Sequence, residues 1–107
     1  MKTWDSLMIS IKEKVGKQPE SLESVIFIIG MQELGKVNDS FTKEQKQDIL
    51  HIGICAVLEK EGFYKFIKKD SEGWPHYDLI KPIPNMNPEE EESFLKKCII
   101  KYFEDKL

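Results

Sequence analysis

The run Val25-Ile26-Phe27-Ile28-Ile29-Gly30-Met31 decides the architecture of this chain. Its seven residues carry no polar side chain, so no amphipathic face can be drawn through them. A helix that is apolar all round belongs inside a protein, with neighbours on every side. The β-branched residues also suit a buried strand, but the surrounding length and the acidic residues Glu20 and Glu23 favour a helix. The expected helix runs from about Pro19, placed in the first turn, to Leu34, with Gly35 as the glycine that ends it.

Working outward, three more helices are legible. The first starts at Thr3 as N-cap and aligns Trp4, Leu7, Met8, Ile11 and Val15 on one face before Gly16 and Pro19 stop it. The third opens with the capping-box pattern Thr42-Lys43-Glu44-Gln45 and closes at Gly62. It is rich in apolar residues (Ile49, Leu50, Ile52, Ile54, Val57, Leu58), leaving one narrow polar stripe through Glu44, Asp48, His51, Cys55 and Glu59. The fourth has Asn87 as N-cap, Pro88 in the first position and Glu90 three residues after the cap. Its acidic start, Glu89 to Glu92, and its later lysines, Lys96, Lys97, Lys101 and Lys106, complement the two ends of the helix dipole. The acidic run therefore needs no partner to explain it.

Gly30 and Gly53 stand in the middle of the second and third helices, where each costs up to about 1 kcal/mol relative to alanine. A glycine so placed lets two backbones approach closely, and the expectation is that these helices cross at both. Stabilisation by both alanine variants would disprove the crossing.

Between the third and fourth helices lies an aromatic segment. Five of the eleven aromatic residues fall there: Phe63, Tyr64, Phe66, Trp74 and Tyr77. Phe63 to Ile67 and Tyr77 to Ile80 read as two short strands, joined by the turn Asp70-Ser71-Glu72-Gly73. Pro75 confines the second strand to an edge. Lone hairpins are marginal, so one face must rest on the helices.

The expected fold is thus mainly α: a four-helix single domain over residues 1–107, with a small two-stranded hairpin at about 63–81. Helices one, three and four are expected to surround helix two. Helices two and three hold more apolar surface than such a domain easily covers, which predicts a homodimer.

Composition narrows the function classes. The chain has 107 residues, 40% hydrophobic and 33% charged, so a folded core rather than a disordered chain is expected. No apolar run approaches the roughly 20 residues of a membrane span, and Met1 to Ser6 has no signal-peptide character. With two distant cysteines, a reducing cytoplasmic setting is expected. The net charge is -3 and all 16 basic residues are lysine. Without arginine, bidentate reading of guanine or phosphate loses its best tool. The order of helices followed by a hairpin is that of a winged-helix DNA binder, but the third helix lacks the exposed basic face which groove reading needs. No nucleic-acid partner is expected.

Chemistry-bearing residues are few. His51 and Cys55 have the i, i+4 spacing of a half zinc site, yet His76 and Cys98 lack the spacing to complete it. Asp48 and His51 imitate half of a carboxylate-bridged two-metal motif. Neither His76 with Asp78 nor Cys55 with His51 has an orienting third group or an oxyanion-hole motif. No catalytic residue, metal or cofactor is assigned. The best candidate binding residues are Trp74, His76 and Tyr77, with Lys68 and Lys69 beside them, because aromatics rimmed by charge suit interfaces. A non-enzymatic interaction or adaptor module using this surface or that of helices two and three, with a protein partner, is the leading expectation. A small-molecule or metal-binding pocket between helix three and the hairpin is the alternative.

Overall fold

A computed structural model of the chain describes residues 3–35 and 40–106. Its elements are α1 (Trp4–Val15), α2 (Leu22–Leu34), α3 (Lys43–Glu59), β1 (Tyr64–Lys69), β2 (Pro75–Leu79) and α4 (Pro88–Glu104). The protein is mainly α, with a small antiparallel hairpin between α3 and α4. No helix among the described residues is long and apolar enough to cross a membrane.

Side-chain caps set where the helices begin. Thr3, Thr42 and Asn87 each accept a hydrogen bond from the backbone N–H three residues on, at 3.1, 3.1 and 2.8 Å. In all three, the residue at that position returns a bond to the cap's own N–H. Each such cap contributes about 1 kcal/mol. Helix α2 starts later than Pro19: Ser21 is its N-cap, accepting from the Ser24 N–H at 3.1 Å. A serine hydroxyl satisfies an otherwise unpaired amide, which a proline in the first turn cannot do. The end of α3 is a Schellman closure: Gly62 N–H donates to Glu59 C=O and Phe63 N–H to Leu58 C=O, with Gly62 at φ +82°.

Helices α2 and α3 cross where the two internal glycines stand. A Cβ built on Gly30 would strike the Ile49 carbonyl oxygen and lie 2.8 Å from its Cγ2. One built on Gly53 would strike the Ile26 carbonyl oxygen and lie 2.9 Å from its Cγ2. Each glycine thus receives the backbone of the other helix.

The run Val25 to Met31 is helical, but α2 is not the enclosed centre of the fold. Val25, Ile26, Ile29 and Gly30 are buried, and Phe27, Ile28 and Met31 are half-exposed. Helix α3 is the hub instead: α2, both strands and α4 all pack on it. The reason is reach, since α3 is longer, 17 residues against 13, and leads directly into the hairpin. The core joins Leu7, Ile11, Val25, Ile29, Val57 and Leu58 to Ile99, Tyr102 and Phe103 of α4. Burying each large aliphatic side chain contributes about 1.5–3 kcal/mol.

Candidate functional site

The hairpin is closed by Asp70, which acts through its backbone and both carboxylate oxygens. Its C=O accepts from Gly73 N–H and its N–H donates to Trp74 C=O, both at 2.9 Å. Its Oδ1 accepts from the N–H groups of Glu72 (2.9 Å) and Trp74 (3.0 Å). Gly73 supplies the left-handed residue, at φ +89°. Oδ2 lies 3.0 Å from Nε2 of His76, which returns along β2 to meet it. The His76 hydrogen bond, followed by the Trp74 amide, holds the Asp70 carboxyl down to about 2. Carboxylate titration followed by NMR should find Asp70 near that value. In His76→Ala the midpoint should climb toward the ordinary 3.8, and an unmoved midpoint would contradict the assignment.

Register divides the five sequence-predicted residues between two faces. Lys68 pairs with His76 and Lys69 with Pro75, after a bulge at Ile67. Successive strand residues point to opposite faces, so Tyr77 turns away from His76. Tyr77 is half-buried and meets Phe66 edge-on at 5.7 Å between ring centroids. Burial, with Glu33 and Glu59 nearby, raises its phenol pKa well above the ordinary value. Trp74 is half-buried and packs edge-on against Phe41 at 6.3 Å. His76, Lys68 and Lys69 are exposed. The structure therefore joins Trp74 to His76, and separates Tyr77 from them.

Trp74 and His76 line a cleft of about 360 Å³ between α3 and the hairpin turn. Its other walls include Gln45, Asp48 and His51 from α3, and Asp70 and Glu72 from the turn. Sequence reasoning placed a pocket at this junction but missed Asp70 as a wall residue. The signal was there: an aspartate opening a turn bonds the amides two and four residues on, and a histidine six residues later lies across the hairpin. Among the described residues, no three of the His, Cys, Asp and Glu side chains are grouped to hold a metal ion.

Cys55 does not belong to the polar stripe of α3. It is 0% exposed, and its Sγ lies 3.6 Å from Nε2 of exposed His51. One helical turn plus about 40° separates the two residues, enough to carry Cys55 under the hairpin while His51 stays outside. Burial, with Glu59 adding to it, pushes the Cys55 thiol up to about 11. At neutral pH it is a protonated thiol, a poor nucleophile and a poor metal ligand.

A second surface lies on and beyond the hairpin. Phe66 (41%), Ile67 (46%), Leu79 (55%), Ile80 (58%) and Ile83 (40%) are five of the seven exposed large hydrophobic residues among the described residues. Tyr64 pairs with Leu79 and Phe66 with Tyr77, so these four share one face of the sheet. Its inner part, Tyr64 and Tyr77, is half-buried, and its outer part, Phe66 and Leu79, stands in solvent. The two strand edges also differ. The outward Phe66 N–H is taken by Glu59 Oε2 at 2.8 Å. On β2, Ile80 N–H donates inward to Phe63 C=O, so by alternation the amides of Leu79 and Tyr77 turn outward. Sequence reasoning found the segment but favoured its tryptophan and histidine over these aliphatics, because period-2 patterning cannot say how far along a hairpin its cover extends.

No family model, curated protein or solved structure matches this chain.

Proposed function

We propose that this protein is a small, non-enzymatic interaction domain that binds a protein partner through the hairpin. The observation that carries the reading is the concentration of exposed apolar residues on β1, β2 and the segment after them, with Phe66 and Leu79 sharing one face of the sheet. Scattered exposed aliphatics are ordinary, but Phe66 and Leu79 lie diagonally on one face of the sheet, and Ile67, Ile80 and Ile83 are exposed within the same 18 residues, a concentration of the kind that marks a contact surface. Lys65, Lys68 and Lys81 border it and keep the strand edges soluble until a partner covers them. The two cysteines are free and buried, which suits a reducing, cytoplasmic setting.

Affinity capture with the wild type and a Phe66→Asp/Leu79→Asp variant tests this reading. Both side chains are largely exposed, so the melting temperature should change little. A partner held by the wild type should be lost by the variant. Recovery of the same proteins by both would overturn it.

The reading includes self-association. Phe27, Ile28 and Met31 on the outer side of α2 are only half-covered by the rest of the chain, which supports the homodimer expected from the sequence.

One observation favours a second reading, binding of a small polar molecule in the cleft between α3 and the hairpin. His51 and His76 reach the same 360 Å³ space from different elements, with three carboxylate residues and Trp74 around them. A thermal-shift screen of small amines and nucleosides, repeated on His76→Ala, would support it through a stabilisation that the variant loses.

A further inference from the structure

We propose that a second copy of this chain docks on the groove between α2 and α3, in a two-fold arrangement that pairs the acidic side of one groove with the basic side of the other. The inference rests on the self-association reading and adds the surface and the register.

The groove has a volume of about 480 Å³ and reaches from the end of α1 along α2 to the start of α3. Phe27, Ile28 and Leu50 are its apolar part, all three half-exposed. From the α2 side and the segment leading into it Glu20 and Glu23 line it together with one cation, Lys17, so that side is net acidic, and from the α3 side Lys43 and Lys46 line it. All five charged residues are exposed, and no ion pair within 4 Å joins one side to the other. Opposite charges line one groove without neutralising each other.

That pattern selects the occupant. In a two-fold contact, a residue i that meets j of the partner copy also has its own j met by the partner's i. An apolar strip with acid on one side and base on the other is complementary to itself when turned by 180°. Glu20 and Glu23 of each copy then face Lys43 and Lys46 of the other, with Phe27 and Ile28 stacking at the centre. A partner of one charge sign would be attracted by one side and repelled by the other. Rim pairs of this kind set register and specificity, while the apolar centre supplies most of the affinity.

The arrangement also accounts for the composition of α2. A helix apolar all round, with only one side covered by its own chain, needs a second cover. A twin subunit supplies it by bringing the same surface.

Sedimentation velocity on three full-length proteins tests the proposal. The wild type should show a concentration-dependent dimer that weakens with added salt. Glu20→Lys/Glu23→Lys makes both sides basic, and Lys43→Glu/Lys46→Glu makes both acidic. Each variant alone should lose at least tenfold in dimer affinity, because both contacts become repulsive. An equimolar mixture of the two should recover a heterodimer, since each basic side then meets an acidic one. Circular dichroism confirms that both variants keep their helices, as exposed positions should allow.

A wild type that stays monomeric at high concentration overturns the proposal together with self-association. A dimer unaffected by either variant overturns the groove and leaves self-association standing on another surface. Two folded, monomeric variants that fail to combine on mixing overturn the charge pairing.

Discussion

Replacing Gly30 with alanine will destabilise the protein by about 3 kcal/mol, at the upper end of the usual cost of overpacking a core. The added methyl would strike the Ile49 carbonyl oxygen and stand 2.8 Å from Ile49 Cγ2. The first of these obstacles is backbone, which no rotamer change can move, so α3 must shift away along the crossing. Alanine gains up to about 1 kcal/mol over glycine in helix propensity, too little to offset the displacement. Gly53→Ala should cost a similar amount, because its methyl strikes the Ile26 carbonyl oxygen in the same way.

The pair of variants carries a further expectation. Once α2 and α3 have moved apart to admit one methyl, the second has room, so the double variant should cost clearly less than the sum of the singles. Chemical denaturation of the three proteins measures both effects. Stabilisation by both single substitutions would show that the helices do not meet at the glycines.

Tyr102→Ala should be the other large loss, about 4 kcal/mol, by analogy with truncation of other buried aromatics. Tyr102 is 2% exposed, meets Phe103 edge-on at 5.2 Å, and donates from its hydroxyl to the Glu33 carboxylate. It is the place where α4 is tied to α2, since Lys106 also reaches Glu33, at 3.9 Å. Against a total stability of about 5–15 kcal/mol for a domain of this size, the loss is a large fraction of the whole. Tyr102→Phe keeps the ring and removes only the hydrogen bond, so its cost should be smaller, about 1–2 kcal/mol.

The same residue sets an alkaline limit. Burial first, and then the hydrogen bond and negative charge of Glu33, raise the Tyr102 pKa above its ordinary 10.0. Burial also pushes the Cys98 thiol from 9.0 up to about 11. In both cases the folded state holds a proton that the unfolded chain releases. The stability is therefore whole below about pH 9 and falls as pH rises from there through 11 and beyond. Tyr102→Phe should be less stable than the wild type at neutral pH yet lose less of its stability above pH 10. Parallel losses for the two proteins would mean that Tyr102 does not hold its proton.

Local signals were enough for every helix start but one. Thr3, Thr42 and Asn87 cap because a short polar side chain reaches the amide three residues on, an interaction that needs no tertiary contact. The exception, α2, turns on competition between Pro19 and Ser21 within three residues, where two local rules conflict. The glycine crossing was legible because a glycine amid helix formers in two apolar segments has few explanations other than close approach. The turn Asp70 to Gly73 was legible for the same reason, since its chemistry lies within six residues.

The candidate surfaces were only partly legible. The cleft between α3 and the hairpin was expected, yet its assembly from Asp48, His51, Asp70 and His76 depends on how the hairpin leans on α3. Cys55 shows the limit most clearly. The helical wheel sets it in one polar stripe with His51, whereas its chemistry as a free cysteine suits burial, and the hairpin decides for burial. The hydrophobic sequence of α2 determined that this segment is a helix in contact with a core, because periodicity and capping act over a few residues. Which side of it is left bare, and which element stands at the centre, was decided only by tertiary structure. Those outcomes depend on the angle at which two helices cross and on where a distant strand pair comes to rest, and neither quantity is encoded within any single segment.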